Sequence, residues 1–162
     1  MSEKKRTARQ LIILGIVVLC AIFLALGMFL PWLTVCGVDN GKAVENGLPV
    51  FNSTYTIMSN YKNTFPISGI RFTALLCAIT CGFSAFLVIF GVTDIYQPEK
   101  GIKIFWSVLT MLSAVVLAVL SIYYLDKINA YFTNDTVFRI AFGFISMPLA
   151  TLTSGIALLS YK

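Results

Sequence analysis

The chain contains no histidine. That removes the side chain most often used as a general base near neutral pH and the commonest neutral metal ligand. Charge is scarce as well: 12% of residues are Asp, Glu, Lys or Arg, 58% are hydrophobic, and the mean hydropathy is +0.86. Soluble domains carry about 25% charged residues, so composition points to a membrane protein with no separate soluble domain. All seven carboxylates lie outside the long apolar runs or at their edges. No buried acid–base pair, proton relay or paired-aspartate protease centre can therefore be drawn, and no nucleophile with a partnering base is legible. A non-enzymatic protein without cofactor or metal is expected. The four cysteines do not form a ligand set. Cys20 is mid-run, and Cys77 and Cys81 stand one helical turn apart, a packing spacing. Cys36 is isolated in a polar stretch, either as an unpaired small residue or as an intermolecular link.

What the sequence does hold is four long apolar runs. Leu11 to Leu33 carries no charge over 23 residues, which as a helix is about 34 Å, enough to cross a bilayer with slight tilt. The run exceeds a signal-peptide core and lacks a small-x-small cleavage site, and Leu33-Thr34-Val35-Cys36 misses the lipoprotein pattern, so an uncleaved anchor is expected. Further spans are predicted at about 67–91, 102–125 and 137–161, giving a single integral membrane domain over 1–162. Lys4, Lys5, Arg6 and Arg9 precede the first span. A basic pI of 9.1 might point to nucleic acid, but these charges abut an apolar run instead of lining a groove. The positive-inside bias then places both termini in the cytoplasm, most simply at the cell membrane, with 34–66 facing outward.

That outward stretch is the only long polar segment. Asp39-Asn40-Gly41 and Asn46-Gly47 are turn signals between Leu33–Val38 and the Thr- and aromatic-rich Val50–Met58, which predicts a small antiparallel hairpin. Phe51, Tyr55, Tyr61 and Phe65 give the loop an aromatic surface. These rings either pack on the hairpin and in the headgroups or form a partner-binding face. Trp32, Arg71, Trp106 and Arg139 occupy positions suited to the membrane interfaces, with Arg71 able to snorkel. In the second span Ala74, Ala78 and Gly82 recur every fourth residue, beside a row of Cys77, Cys81 and Ala85. Thr110, Ala114 and Ala118 repeat the device in the third, so both ridges are expected to pack against neighbouring helices. Pro148 should bend the fourth span, whose Ser146, Ala150 and Ser154 form the best polar stripe for a pore. The acceptor sequences Asn52-Ser53-Thr54 and Asn134-Asp135-Thr136 both fall in the outward loops.

This layout of four spans, a longer first outer loop with strand character and a short second one resembles the tetraspan membrane proteins of the claudin and peripheral-myelin-protein type. The resemblance covers the whole chain and is one of topology: Trp32 is present, but the Gly-Leu-Trp motif and the second loop cysteine of those families are absent. It implies a four-span fold with cytoplasmic ends and carries over no family function. The expected fold is an all-α membrane protein, a left-handed four-helix transmembrane bundle with a small extracytoplasmic β-hairpin. The expected role is interaction or assembly, as a homo-oligomer or as a subunit of a larger membrane complex. Its partners would be lipid and other membrane proteins or itself, with no nucleic acid. An oligomeric passive pore and a protective partner of a membrane-active toxin are the alternatives.

Overall fold

The computed structural model describes residues 8–39, 42–48, 67–131 and 136–161. In chain order the elements are α1 (Ala8–Phe29), β1 (Leu33–Asp39), β2 (Lys42–Leu48), α2 (Ile67–Val92), α3 (Lys100–Tyr131), β3 (Thr136–Ile140) and α4 (Phe142–Ser160). Four helices are each long and apolar enough to cross a membrane. Large apolar side chains such as Ile12, Leu19, Phe72, Ile79, Val119 and Leu149 point outward, an arrangement suited to hydrocarbon.

A repeat of about 3.5 residues, the seam of coiled-coil-like packing, decides what faces inward. On α1 the buried positions are Ile13, Val17, Cys20, Leu24 and Gly27. On α3 the seam runs through Ser107, Thr110, Ala114, Leu117, Ser121, Tyr124 and Ile128, with Ser113 buried beside it. The helices run up and down in chain order, each against the next, with α4 closing on α1 and meeting α2 across the bundle. One end gathers the start of α1, the α2–α3 turn and the end of α4: Arg9 donates to the Ser160 carbonyl at 3.1 Å and Lys103 Nζ to that of Tyr161 at 3.2 Å. The opposite end carries the sheet.

The first helix stops at Phe29, earlier than the apolar run does, because Pro31 has no N–H and biases Leu30 away from helical geometry. The chain then enters β1, which pairs antiparallel with β2 from Leu33 opposite Leu48 to Asp39 opposite Lys42. The hairpin therefore closes at the first turn signal, and its return strand is 42–48, not the Val50–Met58 expected from composition. Asn46 and Gly47 are strand residues within β2 and make no second turn. Gly47 is a glycine for steric reasons, since a Cβ there would sit 2.5 Å from the Pro31 ring.

A second departure concerns the other loop. Thr136–Ile140 is a strand, β3, pairing with β1 in the order β2-β1-β3, with Arg139 opposite Thr34. The fourth helix consequently begins at Phe142 instead of 137, and α3 extends to Tyr131 instead of 125. Thirty-two residues make α3, about 48 Å against a hydrocarbon core of about 30 Å. Its last turns, with Asp126 and Lys127 exposed, are more polar than the rest and form the post on which β3 is hung.

Candidate functional site

The sheet is fastened to the bundle at three points. Trp32 is 2% exposed. Its indole lies between the rings of Tyr124, with centroids 5.4 Å away, and Phe144, at 5.6 Å. The backbone on either side is fixed to the start of α4: Ala141 N–H donates to the Trp32 carbonyl at 3.1 Å and Gly143 N–H to the Pro31 carbonyl at 2.9 Å. On α3, the Asn129 amide pairs with Phe138 in both directions, accepting from its N–H at 2.9 Å and donating to its carbonyl at 3.2 Å. A side chain thus stands in for a neighbouring strand, and Phe138 is pinned with its ring buried. Asn129, which the sequence pattern assigns to a loop, is a helical residue.

Below the sheet, the interior carries hydroxyls that mostly bond to helix carbonyls or to one another. Thr80 and Ser113 meet across α2 and α3 at 3.2 Å, Ser84 and Thr110 at 3.1 Å, and Ser107 donates to the Gly155 carbonyl of α4 at 2.5 Å. Such contacts contribute about 0.6 kcal/mol each inside a membrane bundle and fix register more than they add stability. Cys77 lies beside Ser113 and Thr151, and Cys81 beside Ser154. Among the described residues no group of three or more His, Cys, Asp or Glu could hold a metal ion.

No known protein family, curated protein or solved structure matches this chain. Its resemblance to tetraspan proteins accordingly rests on layout alone.

The residues singled out from sequence are distributed as follows. Phe51, Tyr55, Tyr61 and Phe65 lie outside the described residues. Ala74 and Ala114 are buried, and Ala78 and Ala118 are half-buried. Gly82 is exposed, and a Cβ added to it would meet nothing within 4 Å, so it does not belong to a packing ridge. A strict four-residue spacing drifts about 40° per step around a helix, whereas the seam follows Ala74, Cys77, Cys81 and Ser84. Arg71 is half-buried, with its charge close to the Tyr124 hydroxyl. Trp106 stacks on Phe83 of α2 with centroids 4.2 Å apart. Arg139 is exposed in β3.

The close crossings fall on glycines that carried no signal in the four-residue pattern. Added Cβ atoms would approach Met147 Cγ at 2.5 Å from Gly27, the Gly27 carbonyl oxygen at 2.6 Å from Gly143, and Met111 Cγ at 2.7 Å from Gly155. Beside the Gly27–Gly143 crossing, α1 and α4 part to leave a groove of about 660 Å³, walled by Ile16, Phe23, Phe142 and Ile145 and bounded at the sheet end by Ile140. The Ser146 hydroxyl, buried near Gly27, has no hydrogen-bond partner among the described residues.

At the other end, Tyr161 is buried against Gly91. Burial, and then the charge of Asp94, push its hydroxyl above the ordinary value of 10.0. The preceding turn is held by Asp94 in the left-handed region, φ 57, with Gln97 donating to its carboxylate at 3.0 Å and to the Gly91 carbonyl at 3.1 Å.

Proposed function

We propose that this chain is a non-enzymatic interaction or assembly protein of the cell membrane that presents residues 34–66 outside to another membrane protein or to a second copy of itself. Both termini are cytoplasmic in this reading, because the basic leader abuts α1 and the number of spans is even. What supports it is the fastening of the sheet: Trp32, Asn129 and the Ala141 and Gly143 amides hold it to α3 and α4. Strands of seven residues extend about 23 Å. A platform held that firmly presents a fixed surface, and a pre-organised surface loses less entropy on binding than a mobile loop. The pore alternative gains nothing from the stripe Ser146, Ala150 and Ser154, which is buried inside a single bundle and unavailable to line a path between copies.

Site-specific photo-crosslinkers placed in cells at positions 42 and 62, and at the exposed helix positions 79 and 119, test the proposal. Discrete heavier adducts at 42 and 62 are expected, with lipid-only products at 79 and 119. The reverse pattern would move recognition onto the helix surfaces. Orientation is read separately by impermeant thiol reagents: Lys42→Cys should label in intact cells and Glu99→Cys only after lysis.

A further inference from the structure

We propose that the notch between the first turn of α3 and the last turn of α4 binds one anionic phospholipid, its phosphate on Lys100 and Lys103 and an acyl chain along the exposed face of α3. The notch has a volume of about 260 Å³ and is lined by Lys100, Lys103, Ile104, Leu159 and Tyr161. An adjoining groove of about 560 Å³ is formed by Gly101, Ile104, Phe105, Val108, Leu109 and Leu112. Ile104 belongs to both, so a notch that carries two lysine ammonium groups adjoins an apolar groove. From Ile104 to Leu112 the groove descends about 12 Å along the helix, close to the half-thickness of about 15 Å of a bilayer core.

Lys103 is held in place because its ammonium donates to the Tyr161 carbonyl at 3.2 Å and lies 5.7 Å from the Tyr161 ring centroid. An ammonium has three donors, so others remain for a phosphate. Lys100 is exposed beside it, with Glu99 as its acidic neighbour in sequence. Two cations above an apolar track complement a lipid of net negative charge and oppose the cationic headgroup of a zwitterionic one. Gly101 leaves the passage open, since a Cβ there would meet nothing within 4 Å. The site is independent of whatever the sheet end recognises.

Purified protein in neutral detergent is titrated with phosphatidylglycerol, with phosphatidylcholine of the same acyl chains and with glycerol 3-phosphate, and retention is read by native mass spectrometry. A single retained phosphatidylglycerol is expected. At about 1 kcal/mol per cation, Lys100→Gln should weaken it about fivefold and Lys100→Gln with Lys103→Gln about thirtyfold. Gly101→Leu should lower retention with no change in thermal stability, and Lys127→Gln, at the opposite end, should leave retention unchanged. The site is refuted if phosphatidylcholine is retained equally, if glycerol 3-phosphate binds as well as the lipid, or if Lys127→Gln costs as much as Lys100→Gln. Wild-type retention by both Lys100→Gln and Gly101→Leu also refutes it. These two variants carry the test even where the double variant fails to fold, because neither removes the Lys103–Tyr161 contact.

Discussion

Gly143→Ala and Gly82→Ala should change stability in opposite directions, although each adds one methyl group to a glycine in a helix. At Gly143 the new Cβ would stand 2.6 Å from the Gly27 carbonyl oxygen, 3.2 Å from that of Pro31 and 3.3 Å from Trp32 Cα. All three are backbone atoms, so no side chain can turn away and the end of α1 must move off α4. Overpacking of this kind costs about 1–3 kcal/mol. The displacement also strains the Gly143 N–H to Pro31 bond of 2.9 Å, with a net value of about 1 kcal/mol, for a total of about 2–4 kcal/mol. At Gly82 nothing lies within 4 Å, and the substitution only removes the conformational freedom of glycine in a helix, a gain of about 0.5–1 kcal/mol. Unfolding in mixed micelles, followed by circular dichroism as denaturing detergent is raised, reads both. If Gly143→Ala unfolds with or after the wild type, or Gly82→Ala loses as much as Gly143→Ala, then the α1–α4 crossing is not where this structure puts it.

Removal of the indole by Trp32→Ala should cost about 3–5 kcal/mol; in a Trp106→Phe background the remaining Trp32 should emit as a buried indole, inaccessible to aqueous acrylamide. Asn129→Leu deprives Phe138 of two backbone partners, and hydrogen exchange at the Phe138 amide should accelerate while amides in the centre of α2 keep their protection. Tyr161→Phe should leave stability unchanged or raise it by up to about 1 kcal/mol, because the buried hydroxyl has no partner to lose. Its raised proton affinity also has a signature. The folded state keeps the proton where the unfolded chain, at the ordinary 10.0, begins to release it. This contribution is therefore full below that pH and is lost as pH rises through the higher folded value. The wild type should lose stability in strongly alkaline detergent more steeply than Tyr161→Phe, and parallel curves would refute the burial argument.

The four helices were legible because apolar length is a coarse quantity that tolerates errors of a turn at each end. The hairpin turn was legible too, since Asp39-Asn40-Gly41 is a local signal. Its partner was not: Val50–Met58 has the stronger strand composition, but Lys42–Leu48 follows β1 after only two residues, and proximity prevails over propensity. Thr136–Ile140 escaped notice because, with Arg139 beside an apolar run, it reads as the flank of a span. Its strand state depends on β1, about a hundred residues away, and on Asn129 of the preceding helix. Gly82 was misplaced by a spacing of four in a bundle whose seam repeats every 3.5 residues. The spacing Gly143 to Ser146 to Gly155 shows no such regularity, and only the positions of the other helices give those residues their role.

The junction at Pro31 and Trp32 also has a mechanical consequence. The chain passes from α1 into β1 within a few residues, and both carbonyls of that junction are tied to the first turn of α4, while β3 joins α4 through Ala141 alone. Two strands of the sheet therefore act as short lever arms on the same pair of helices. A load that tilts the hairpin has little slack to absorb it and is delivered as torque to the α1–α4 seam. The Phe23–Phe142 contact, with centroids 6.3 Å apart, and the groove beside it lie on that seam, where such a torque would arrive.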